Sequence, residues 1–290
     1  MGNIQCIDFI PKTTSAQYTK QRFAVFVQLL VRKRMYLRKI DLPNTLVVIS
    51  LGLLFLIVSI LVIATGNVSL QLGINAVMTP LVALFLGVSG IRIYGKEYTT
   101  RSDKFYTMNL WFAIGLIMLS LAEIGRSIIS FTLNTSGIIL IVALIQLPGL
   151  LLWGIGIIQY LRSLNSAMDF IPTDTLWTIL FFIVTISTAG LILINAILFP
   201  TIGFFENIVL SPIIVGLAIF SVSNAILVWV FRKGSLSQPL FLIFGALGLY
   251  LIRCIFWLFT STALESPTDG LIAIESFILC GAALQLARDL

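Results

Sequence analysis

Histidine is absent from this chain of 290 residues, and charge of either sign is scarce, at 10% of residues. The first absence removes imidazole metal ligands, haem axial histidines, histidine general bases and histidine proton relays together. The second argues against a soluble globule. Soluble domains carry roughly 25% charged residues, and a folded globule of this size must still present a polar surface. Cysteine is rare too: Cys6, Cys254 and Cys280 show no CxxC spacing and give no basis for a disulfide framework. There is no glycine-rich phosphate loop, no HExxH, no GxSxG and no pair of aspartates facing each other on two spans. No nucleic-acid module and no catalytic constellation is legible, and nothing calls for a cofactor or a metal.

What the chain has is hydrophobicity, 59% of residues with a mean hydropathy of +1.07. A bilayer core of roughly 30 Å is crossed by about 20 mostly apolar residues in a helix. Eight segments meet that length: 44–65, 75–94, 108–133, 138–161, 175–198, 208–231, 238–260 and 269–287. Pro43-Asn44 starts the first, and Asn134-Thr135-Ser136-Gly137 and Ser266-Pro267-Thr268-Asp269 read as turn clusters between spans. The runs do not alternate polar with apolar, as transmembrane strands do. The fold class is therefore an all-α integral membrane protein with eight transmembrane helices. Residues 1–41 are too polar for a secretory signal, so the first span is expected to stay in the protein.

Lysine and arginine collect in cytoplasmic loops. With the N-terminus inside, sixteen of the eighteen fall on the cytoplasmic side, the exceptions being Arg126 and Arg253 within spans. The expected localisation is the plasma membrane with both termini cytoplasmic. The sequons at Asn67 and Asn134 fall in outside loops, where ordinary turn residues are the simpler reading.

The two halves resemble each other. Pro43 pairs with Pro172, Thr79-Pro80 with Ser211-Pro212, Arg126 with Arg253, Gln146 with Glu275 and Arg162 with Arg288, at offsets of 129, 132, 127, 129 and 126. These predict a parallel 4+4 internal repeat, with residues 42–166 holding helices one to four and residues 167–290 holding five to eight.

Four ionisable residues are expected inside spans: Glu123, Arg126, Arg253 and Glu275. An intramembrane charge costs about 2.5–3.5 kcal/mol even on insertion scales, so such residues face the bundle interior and pair. With Gln146 they fall within roughly 9–15 Å of the outer boundary at 1.5 Å per residue. The candidate ligand-binding residues are thus Glu123, Arg126, Gln146, Arg253 and Glu275; a buried ion-pair network that fixes packing is the alternative. Pro80, Pro148 and Pro212 are candidate helix breaks near that depth. Asn195 and Asn224 suit interhelical hydrogen bonds.

Residues 18–40 carry seven positive charges and no acid, with Phe23, Phe26, Val27, Leu30 and Leu37 at helical spacing. This reads as a basic amphipathic helix on the inner membrane surface, where Arg22, Arg32, Lys33, Arg34, Arg38 and Lys39 meet anionic lipid head groups. The expected partners are the bilayer and those head groups, with partner subunits or a homo-oligomer possible and nucleic acid excluded. Three functions fit. A small transporter or permease would bind a small polar or charged solute at the outer-half site. A sensory or accessory subunit of a larger membrane complex would use the charges for packing. An intramembrane lipid-modifying enzyme would need Glu123 or Glu275 as its acid or base.

Overall fold

The computed structural model describes residues 42–95, 104–132, 138–168, 173–198, 203–259 and 266–288. The basic segment 18–40, with its expected surface helix, lies outside the described residues. Eight helices follow in order: α1 (Leu42–Ala64), α2 (Val68–Tyr94), α3 (Lys104–Thr132), α4 (Ile138–Met168), α5 (Thr173–Leu198), α6 (Phe204–Val230), α7 (Ser237–Phe259) and α8 (Pro267–Arg288). All eight are long and apolar enough to cross a membrane, and no strand occurs among the described residues. Each covers an expected span. The largest differences are two of seven residues: α4 runs on to Met168, and α2 starts early because Gln71 and Asn75, polar enough to end an apolar run, are buried in the helix and bonded there, the Gln71 amide donating to Ser59 Oγ of α1 and to Asn75 Oδ1, both at 2.9 Å.

The side-chain contacts fix the helix directions. Consecutive helices run antiparallel: Trp111 pairs with Gln159 and Glu123 with Gln146 between α3 and α4, and Ser120 with Pro80 and Ser127 with Ala76 between α3 and α2, one number rising as the other falls. Six helices close a ring in the order α2, α3, α4, α6, α7, α8. Across the two closures the helices are parallel. Leu86 meets Gly281 and Asn75 meets Gly270 between α2 and α8, and Gly154 meets Phe220 between α4 and α6. Helix α1 lies outside the ring against α8, and α5 outside it against α6. Burial follows: 78% of the α8 core window is buried, against 11% for α1 and 6% for α5. The large apolar side chains of α1 and α5, Leu51, Leu61, Phe181, Ile186 and Ile197 among them, stay uncovered by protein. A surface of that kind suits lipid rather than water.

Small residues set the close approaches, since in lipid packing replaces the hydrophobic drive between helices. A Cβ on Gly90 would stand 2.6 Å from Ala113 Cβ of α3 and 2.9 Å from Leu284 Cδ1 of α8. Gly149 leaves room for Leu119, and Gly115 for Trp153, whose indole N–H donates to Phe112 O at 3.1 Å. Pro80, Pro148 and Pro212 lie inside continuous helices rather than at breaks between them. At Pro80 the reason is visible. The ring removes the N–H that Ala76 O would have received, and Ser127 Oγ of α3 donates to that carbonyl instead, at 3.2 Å. Asn195 and Asn224 make the interhelical bonds expected of them, Asn195 Nδ2 to Asn207 Oδ1 at 3.1 Å and Asn224 Nδ2 to Leu240 O at 2.8 Å.

We call the face at which α1 begins proximal and the opposite one distal. Arg92, Lys104, Arg162, Arg232, Lys233 and Arg288 all belong to helix ends or connections on the proximal face. The buried charge belongs to the distal half, while the buried Asn109, Ser221 and Asn224 are uncharged and lie in the proximal half.

Candidate functional site

Two turns from the distal end of α3, Glu123 and Arg126 share one helix face at i, i+3 spacing, and Arg126 Nε donates to Glu123 Oε2 at 2.7 Å. The equivalent stretch of α7 carries Tyr250, Arg253 and Trp257 at i, i+3 and i+7, again one face. Helix α8 starts there, and Asp269, in its first turn, is fully buried. Arg253 grips it with two parallel bonds, Nε to Oδ1 at 2.8 Å and Nη2 to Oδ2 at 2.9 Å, the fork geometry that suits a carboxylate. Two further ion pairs join these elements. Arg253 Nη1 donates to Glu123 Oε1 at 2.6 Å, and Arg126 Nη1 to Asp269 Oδ2 at 2.8 Å. The result is a closed ring of alternating sign: Glu123, Arg253, Asp269, Arg126 and back to Glu123.

Neutral groups finish it. Gln146 of α4 donates to Glu123 Oε1 at 2.8 Å and accepts from Tyr250 OH at 2.8 Å. Trp257 Nε1 donates to Asp269 Oδ1 at 2.6 Å. The Arg253 guanidinium also lies over the rings of Tyr250 and Trp257, 5.3 and 4.9 Å from their centroids. All four carboxylate oxygens are filled by protein donors. Arg253, Glu123 and Asp269 are fully buried, and only Arg126 is slightly open, at 6% exposure. Among the described residues none accepts from Nη2 of Arg126, which makes it the unused donor of the set.

Of the five expected ligand-binding residues, the structure brings Glu123, Arg126, Gln146 and Arg253 together. Glu275 stands apart. It lies nearly two turns further along α8, on the side facing α1, and makes no ion pair among the described residues. The sign balance expected from Glu275 is supplied by Asp269, which reads in the sequence as a turn residue. An aspartate at the first turn of a helix is so common a cap that its burial is invisible locally. The available signal was side: Asp269 begins the last span on the distal face, toward which the spans of Arg126 and Arg253 run. Tyr250 and Trp257 could have been found on the arginine's own face, at i−3 and i+4.

The arrangement anchors two guanidiniums in a low-dielectric site. It has no nucleophile beside a base, and no three metal-ligating side chains gather among the described residues. A cavity of about 190 Å³ lies elsewhere, between α4 and α6, with an apolar wall of Leu147, Leu150, Pro212, Ile213, Gly216 and Phe220. Comparison with protein-family models, with curated proteins and with solved structures gives no match.

Proposed function

We propose that this chain is a small plasma-membrane transporter built as a 4+4 repeat, in which the charge ring is a distal gate closed between the two halves. The observation that carries the reading is how the ring divides. Glu123 and Arg126 belong to helices α1–α4, Arg253 and Asp269 to α5–α8, and each couple is bonded within its own half. The other two ion pairs, Arg253–Glu123 and Arg126–Asp269, cross between halves. Parting the halves therefore breaks two ion pairs yet leaves no buried charge alone, whereas breaking an ordinary buried pair strands a charge at about 3–5 kcal/mol. A part that opens is cheap when built this way. Once open, each arginine keeps one carboxylate and frees N–H donors, a setting for an anionic or zwitterionic solute.

Helix registers support the repeat. Between α4 and α6, Gly154 meets Phe220, 66 residues apart. Moving the α4 residue forward by the Gln146–Glu275 offset of 129, and the α6 residue back by the Thr79–Ser211 offset of 132, gives a separation of 195 between α2 and α8. Leu86 and Gly281, and Asn75 and Gly270, are each separated by 195. The proximal lysines and arginines support a cytoplasmic proximal face.

The saturated ring also favours a second reading, an accessory subunit in which the ring only staples helices. Cysteines at Asn75 and Pro267, whose amide and carbonyl meet across the halves at 2.8 Å, separate the two in a background without native cysteines. Joined by a short reducible thiol cross-linker, they should stop liposome uptake of members of a panel of small carboxylates, phosphates and amino acids, and reductant should restore it. Uptake of none of the panel by the uncross-linked protein would sink the transporter and leave the staple.

A further inference from the structure

Among the described residues, Glu275 is the one carboxyl that lies beyond the first turn of a span and outside the charge ring. It is the ninth residue of α8, about 12 Å along the helix from its distal start. Its Oε1 is shut off from solvent and has no hydrogen-bond partner. Its Oε2 lies 3.5 Å from where a Cβ on Gly52 of α1 would be, and Ile278 stands beside it, its Cγ2 at 2.8 Å from the same point. The helices packed on α8 are α1, α2, α3 and α7. From Thr45 to Ala64, α1 has no titratable residue. On α2, Arg92 and Tyr94 sit at the proximal end, where the tyrosine hydroxyl donates to Leu284 O. On α7, Arg253 and Tyr250 are bound into the ring and Cys254 is buried. On α3, Glu123 and Arg126 are bound to ring members and Lys104 and Tyr106 lie at the proximal end. On α8 itself, Asp269 is in the ring, Cys280 is buried and Arg288 ends the helix. No described cation faces Glu275.

We propose that Glu275 is a proton-binding site, reached through the α1–α8 seam and covered by α1 at Gly52. Three observations carry it together. The ring already balances its own charges, two acids against two arginines, so an ionised Glu275 would be a bare charge among apolar side chains, the most costly state for such a group. Metal cations such as Ca²⁺ need about six or more oxygen ligands, whereas on the buried face of α1 the side-chain oxygens nearest Gly52 are those of Thr45 and Ser59, about two turns away on either side. A proton needs one oxygen. The cover, finally, is peripheral: α1 packs on the bundle along one face only, 11% buried against 78% for α8. The exchange is simple. The carboxylate takes one proton from hydronium, leaving water, when α1 uncovers the seam, and returns it to water by the reverse step. Proton coupling as the purpose of this site rests on the transporter reading; proton binding itself does not.

The test uses the full chain in phospholipid vesicles with no solute present. Dicyclohexylcarbodiimide, an apolar reagent that attacks protonated carboxyls, should form an N-acylurea at Glu275, located by peptide mass mapping. The rate should fall roughly tenfold per pH unit once the acid form is the minority. A water-soluble carbodiimide should label it far more slowly. Gly52→Leu should slow the reaction several-fold by filling the seam, and Glu275→Gln, monodisperse in detergent, should lose the adduct. No adduct at Glu275 in folded protein, a rate independent of pH, or equal labelling by the water-soluble reagent would each overturn the site. Labelling as expected without uptake of any solute would instead sink the transporter and leave the proton site standing.

Discussion

At the scale of single residues, the interior charge of this protein is a matter of which carboxylate each arginine holds. Arg253 makes four hydrogen bonds to Asp269, Glu123 and Tyr250 with nothing exposed. Truncating it leaves Asp269 and Glu123 short of donors in a site that water does not reach. Arg253→Ala should therefore cost about 3–5 kcal/mol, seen as a lower thermal midpoint in detergent and earlier thiol reactivity of the buried neighbour Cys254. Removing the matching charge as well, in Arg253→Met with Asp269→Asn, should recover part of that loss, because Glu123 keeps Arg126 and Gln146. Pairing Arg253→Met with Glu275→Gln should recover nothing, since Glu275 has no share in the ring. A double variant with Asp269→Asn no more stable than Arg253→Met alone would mean the ring is not held by charge pairing. The sequence names three of the four ring members, Glu123, Arg126 and Arg253, from depth and sign alone. It misses Asp269 because a helix-starting aspartate looks the same whether it caps in solvent or binds two arginines.

At the scale of helices, hydropathy is a good guide to where a span is and a poor one to what it touches. All eight elements are legible as apolar runs, since a bilayer sets one length for every crossing. Their arrangement is legible only in part: peripheral α1, with a mean hydropathy of 3.2, is more apolar than central α8, at 1.8, but peripheral α5, at 2.3, does not stand out from the ring helix α6, at 2.4. What distinguishes α8 is its small residues, Gly270, Ala273, Gly281, Ala282 and Ala283, which are buried and admit neighbours on several sides. Glycine position carries the same lesson into a test. Gly90 is wedged between α3 and α8, and a Cβ there meets Ala113 and Leu284 at under 3 Å. Gly73, on the same helix, has no atom within 4 Å of its Cβ position. Gly90→Ala should lower stability by about 1–3 kcal/mol through overpacking. Gly73→Ala should be neutral or raise it by up to about 1 kcal/mol through helix propensity. Thermal melts of the two purified variants decide it: equal effects would mean that α2 does not pack at Gly90 as described.

At the scale of the whole molecule, polarity is divided between two faces. Every described lysine and arginine outside the ring belongs to the proximal face, while the ring, the Gln71–Asn75 pair and the Asn195–Asn207–Ser211 cluster belong to the distal half. The first group is hydrated charge at helix ends; the second is buried and hydrogen-bonded within the protein. Basic flanks resist translocation, so the proximal face should be the one retained in the cytoplasm. Inverting the chain would carry Arg92, Lys104, Arg162, Arg232, Lys233 and Arg288 across together, against the bias that sets orientation during insertion. Single cysteines substituted at Leu70, Ser136 and Glu265 should react with an impermeant maleimide applied to intact cells. Those at Thr100, Ser166 and Ser235 should react only after the membrane is opened. The two sets fall in or beside alternate connections, so a miscounted span would split a set rather than invert both. Reaction of the second set in intact cells, with the first protected, would reverse the orientation and move the charge ring to the cytoplasmic half, where an external solute could not meet Arg126 first.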